Sequence, residues 1–108
     1  MTQKANHQAD RQQIRELQEI INIGPSTAED LSRIGIQKPQ QLIGKNPFGL
    51  YQEICAQSGE FNDPCVLDVM ISSVEYMEGK RPRKWWDYTK RRKAKYSKEI
   101  NELRSKYF

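Results

Sequence analysis

Between residues 24 and 79 the chain repeats one device: a proline opens a short segment and a glycine closes it. Proline fits the first turn of a helix because its missing N–H has no intrahelical acceptor there, and glycine fits the left-handed position beyond the last turn. Gly24-Pro25 opens a segment that Gly35 closes, and Pro39 opens a very short one closed by Gly44. Asn46-Pro47, with Asn46 as a side-chain cap, opens a third that runs through Leu50, Tyr51, Ile54 and Cys55 to Gly59. Asp63-Pro64 opens a fourth, carrying Val66, Leu67, Met70, Val74 and Met77 before Gly79. No hairpin dipeptide or strict apolar–polar alternation competes with this punctuation. The body therefore reads as all-α, a compact bundle of four or five short helices. Ahead of it, Ile14, Leu17, Ile20 and Ile21 recur at helical spacing from Asp10 onward and predict a first helix ending near Asn22. Residues 1–9 lack periodicity and read as a disordered leader, which holds His7 as an exposed residue without function.

Charge divides the chain more sharply than its net +4 suggests. Residues 1–79 carry six Lys and Arg against eleven Asp and Glu, whereas residues 80–108 carry twelve against three. A field that attracts phosphate must come from the tail. A domain over residues 10–88 followed by a basic amphipathic helix over residues 89–108 is the division this predicts. In that helix Tyr96, Ile100, Leu103 and Tyr107 form an apolar stripe. The stripe reads as docked on the body or on a second copy rather than in lipid. Lys90, Arg91, Arg92, Lys93, Lys95 and Lys98 supply a positive surface, which is either a phosphate contact or a solvated face. Trp85 and Trp86 can stack on unpaired bases. Alternatively, at least one ring covers the helical core and anchors the tail.

No apolar run approaches the roughly 20 residues of a spanning helix, and the first twenty residues have no secretory h-region. A cytoplasmic protein without membrane contact is expected. Two Cys and one His cannot supply a four-ligand zinc site, and no cofactor is expected. Cys55 and Cys65 lie at the end of one predicted helix and the start of the next; they read as reduced, buried thiols, although a helix start can lower the Cys65 pKa. Glu29 with Asp30 and Glu75 with Glu78 have no fixed partner in the sequence, and adjacent helical positions diverge by about 100°. Nothing here resembles a catalytic constellation, so no enzyme is expected.

The most informative stretch is residues 17–36, Leu-Gln-Glu-Ile-Ile-Asn-Ile-Gly-Pro-Ser-Thr-Ala-Glu-Asp-Leu-Ser-Arg-Ile-Gly-Ile. An apolar helix, a tight Asn-Ile-Gly turn, the small Ala28, then Leu31 and Ile34, suit two helices joined by a close hairpin. Asn22 and Gly24 can take positive φ, Ile23 can point between the helices, and Ala28 permits their approach. The second helix would start near Gly24. Its first amides lack carbonyl partners, so with the helix dipole they can receive a phosphate oxygen. Asn22, Gly24, Ser26 and Thr27 are thus the candidate hairpin contacts. Binding of this kind reads no bases and weakens steeply with salt; six tail cations on phosphates would give a log-log slope near −5. A structural turn uses the same residues, and Glu29 and Asp30 beside it would repel phosphate.

The stretch resembles the helix-hairpin-helix motif, with Asn22 where the first glycine is commonest. Taken with Leu50-Tyr51 and Cys55, with Asp63-Pro64-Cys65-Val66-Leu67-Asp68-Val69, and with Arg83-Lys84-Trp85-Trp86, it looks like the small bacterial pathogenicity-locus family, also called mitomycin-resistance-like. More distantly it is similar to the C-terminal domain of TfoX-type competence regulators. The resemblance implies a sterile-alpha-motif-like helical fold and a DNA-related role, and no established reaction. Two readings follow. In the first, hairpin amides and the basic tail bind nucleic acid, most naturally DNA, through its backbone. In the second, the acidic body and the tail stripe face a partner protein or a second copy, as a regulatory adaptor.

Overall fold

Buried apolar side chains ahead of Pro25 fall three residues apart, at Ile14, Leu17, Ile20 and Ile23, none more than 5% exposed. A repeat of three suits a 3-10 turn or threefold extended backbone as well as an α-helix. The computed structural model, which describes residues 13–108, shows the former: a 3-10 turn at Leu17–Glu19 between extended Glu16 and Ile20. The α-helix expected over residues 10–22 is therefore not formed in the described part of that segment. The Glu19 carboxylate draws the chain round locally by accepting the amides of Arg15 and Glu16, each at 2.8 Å. The leader expected over residues 1–9, His7 included, lies outside the described residues.

From Pro25 onward the proline–glycine punctuation becomes structure. Helices α1 (Pro25–Arg33), α2 (Pro47–Ser58), α3 (Cys65–Met77) and α4 (Thr89–Ser105) are joined by 3-10 turns at Pro39–Leu42 and Trp85–Tyr88. No strand is present among the described residues. Asn46 caps α2 by accepting the Gly49 amide at 3.1 Å, and Gly59 closes it at φ 72°. Asp63 accepts the Cys65 amide at 2.8 Å and so turns the chain into α3.

Helix α3 is the axis of the molecule. Leu67, Met70, Ile71, Val74, Tyr76 and Met77 are all buried, as expected of a helix covered on every side. One core lies toward the N-terminal half, where α3 meets Leu17, Ile20, Ile23, Leu31, Leu42, Leu50 and Ile54. A second lies toward the C-terminal half, where Tyr51, Cys55, Leu67 and Ile71 meet Tyr88, Ile100 and Leu103. Burying each such side chain contributes about 1.5–3 kcal/mol. The α4 stripe thus packs on the chain's own body, and Tyr96 stacks on Phe48 with ring centroids 5.4 Å apart.

Two carboxylates link this fold to pH. The Glu16 and Arg15 amides hold Glu19 below its ordinary 4.5, and the Cys65 amide holds Asp63 below its ordinary 3.8. Each group contributes fully above its unfolded pKa and loses that contribution as pH falls through the lower folded value. Urea midpoints should therefore drop on acidification below about pH 4. The double variant Glu19→Gln/Asp63→Asn should show a shallower drop, and an identical acid profile in variant and wild type would count against these contacts.

Candidate nucleic-acid interface

The bend before α1 is built by Asn22, which sits in the left-handed region at φ 78°. Gly24 is extended instead (φ −97°, ψ −173°) and is the residue preceding the first turn of α1. The expectation of positive φ at Gly24 is thus corrected: Asn22 alone turns the chain, and Gly24 only has to present its carbonyl to the Ala28 amide at 3.0 Å. Ile23 is fully buried and Ala28 packs on the first core, but with only a 3-10 turn ahead of the bend the expected pair of helices is not formed among the described residues. Ser26 is exposed and Thr27 half-buried. Their amides have no acceptor among the described residues, so the helix start remains open to an anion.

The Asn22 side chain does more than the sequence suggested. Its Nδ2 donates to Ser72 Oγ on α3 at 3.0 Å and to the Arg83 carbonyl at 2.7 Å. The bend is thereby tied to the segment Lys80-Arg81-Pro82-Arg83-Lys84, whose Lys80, Arg81, Arg83 and Lys84 are exposed. No local pattern could have revealed this link, which spans 61 residues.

The cations of α4 separate. Arg92, expected to contact phosphate, is only 8% exposed; its Nε and Nη2 donate to the two oxygens of fully buried Asp68 at 2.9 and 3.3 Å. Asp68 makes Arg92 hold its proton even more firmly. The reason is register, since Arg92 falls on the same face as Tyr96, Ile100 and Leu103. Arg91 pairs with Glu75 at 2.6 Å and lies over the Tyr88 ring at 4.8 Å. Lys95 lies over Tyr96 at 5.3 Å. At about 100° per residue, Arg91 and Lys95 share one flank of α4, while Lys90 and Lys93 are exposed on the other side.

The two tryptophans also divide. Trp85 is half-buried against the first core, whereas Trp86 is 57% exposed, with the Lys84 ammonium 5.9 Å from its ring centroid. Arg33 pairs with both Glu29 and Asp30, the latter at 3.3 Å, which reduces the repulsion expected at the helix start. Both cysteines are free, but only Cys55 is buried as expected; Cys65, at the start of α3, is half-buried. Burial, then the neighbouring Asp63, pushes the Cys65 thiol up, so the lowering expected from the helix start is overturned.

These features define, among the described residues, a small all-helical protein in which the bend before α1 is tied to the backbone of a cationic segment. Among the described residues no helix is long and apolar enough to cross a membrane. Residues 10–94 match the pathogenicity locus family, and the chain belongs to that family. It is also similar to the mitomycin resistance protein McrB of Streptomyces lavendulae, at 41% identity over 78 residues that cover 72% of this chain and 74% of that protein. No solved structure matches the chain.

Proposed function

We propose that this protein is a non-catalytic module that binds the phosphate backbone of DNA without reading sequence, in a setting of mitomycin resistance like that named for its relative. The Asn22 bond to the Arg83 carbonyl carries the reading, because it ties the bend ahead of the Ser26 and Thr27 amides to the backbone of the segment that bears Lys80, Arg81, Arg83 and Lys84. The likeness of the bend and α1 to the second half of a helix-hairpin-helix, and more distantly to TfoX-type proteins, supports the same reading. Trp86, exposed beside Lys84, is the stacking residue for any unpaired base; Trp85 serves the core. Of the stripe on which the partner-protein reading drew, Ile100 and Leu103 pack within the chain, which favours the nucleic-acid reading.

Fluorescence anisotropy with labelled duplex and single-stranded DNA across a salt series tests this. Binding should fall with a log-log slope between about −4 and −5 for five phosphate contacts on duplex. Trp86→Ala should weaken single-strand binding by about 1–3 kcal/mol while sparing duplex, and Trp85→Ala should instead lower the melting temperature. Absence of binding to either DNA at low salt overturns the proposal.

A further inference from the structure

Two hollows meet at the Arg91–Glu75 ion pair. The larger, about 500 Å³, is lined by Lys80, Arg81, Arg83, Asp87 and Tyr88 together with that pair. The smaller, about 180 Å³, is lined by Lys45, Glu78, Lys95 and Tyr96 together with the same pair. Taken as one groove through that shared pair, their linings hold six cations and three carboxylates. Of these carboxylates, Glu78 is engaged in structure, since it accepts the Gly44 amide at 3.0 Å and so holds the Lys45 turn against the end of α3. Glu75 holds a cation instead, and both partners remain partly exposed, Arg91 at 50% and Glu75 at 27% of their side chains.

We propose that this groove is the phosphodiester track, running from the Arg81–Arg83 side past Arg91 to Lys95 and Lys45, and that Glu75 occupies the place of a phosphate when no nucleic acid is bound. A carboxylate and a phosphate present the same kind of oxygen acceptors to a guanidinium. An incoming phosphate therefore displaces Glu75 from Arg91, and the exchange costs little because a half-exposed ion pair is worth at most about 1 kcal/mol. The Glu75 charge lowers affinity and keeps Arg91 oriented. This inference rests on the nucleic-acid reading above and adds the path and the resident competitor.

The test compares full-length wild type, Glu75→Gln and Glu53→Gln on the same labelled duplex over a salt series. Glu53 is exposed on α2 and lines neither hollow, so its variant makes the same change in net charge away from the groove. Glu75→Gln should bind roughly threefold to tenfold more tightly at an unchanged slope, since Arg91 meets a phosphate in both proteins. That gain should shrink when Arg91→Ala is added, because no competition for the guanidinium remains. Lys45→Ala, at the far end of the track and on a different element, should flatten the slope by about 0.9. Thermal melts of each variant check that folding is unchanged. If wild type binds DNA but Glu75→Gln behaves like Glu53→Gln and Lys45→Ala leaves the slope unaltered, the groove is not the track although the protein binds DNA. If wild type does not bind, both readings fall.

Discussion

Asp68→Ala should lower stability by about 3–5 kcal/mol, because it strands a buried guanidinium. Asp68 is fully buried on α3 and takes both Arg92 contacts as well as the Thr89 hydroxyl, which donates to Oδ2 at 2.7 Å. Removing the carboxylate leaves Arg92 8% exposed with its charge uncompensated. For a domain of this size the loss corresponds to a fall in melting temperature of at least about 12 °C. Arg92→Ala should cost a similar amount by stranding the carboxylate. The pair itself need not be a net gain over apolar packing, so Asp68→Leu/Arg92→Met should recover much of the loss. Circular dichroism melts of the three variants decide the matter. Single variants that melt within a few degrees of wild type would show that α4 is not pinned to α3 through this pair. Arg92 variants would also bind DNA less well when partly unfolded. Their salt slope, taken well below the lowered melting temperature, should match wild type.

Charge reversal in the segment beside the bend should have the largest effect on binding. Arg81→Glu/Arg83→Glu should weaken duplex binding by at least tenfold at moderate salt and flatten the log-log slope by about two contacts' worth, or 1.8. Stability should hardly change, because both side chains are exposed and Arg83 meets Asn22 through its carbonyl. Lys90→Glu/Lys93→Glu makes the same change in charge on the other side of α4 and should cost much less. Equal losses from the two double variants, measured by anisotropy, would mean that a diffuse positive field rather than a located surface binds the DNA.

The burial of Arg92 shows where sequence reasoning stopped. That reasoning located the basic tail and the helix start and took Lys90, Arg91, Arg92, Lys93 and Lys95 as one positive surface, from which Arg92 is removed by its burial on Asp68. A run of adjacent cations looks uniform in sequence. Wound at about 100° per residue, it must point in several directions, and one of them was inward. Asp68 gave no warning, since an acid in an otherwise apolar helix turn can face solvent or a partner. Its partner stood 24 residues away. The 3-10 turn at Leu17–Glu19 escaped for a related reason: Ile14, Leu17 and Ile20 satisfy a threefold and a 3.6-fold repeat equally over so short a span.

What the sequence by itself determined were features whose physics acts within one turn of chain. Proline and glycine set the starts and ends of α1, α2 and α3, Asn46 set a cap, Asn22 took the left-handed bend, and the spacing of Tyr96, Ile100 and Leu103 set the inner face of α4. Tertiary structure decided which polar groups were left for solvent. Asn22 reaching Arg83, Arg92 reaching Asp68 and Arg91 reaching Glu75 all join elements distant in sequence. Such partners are chosen by how helices pack and by the need to pair each charge or donor that packing removes from water. That need has no expression in local residue order.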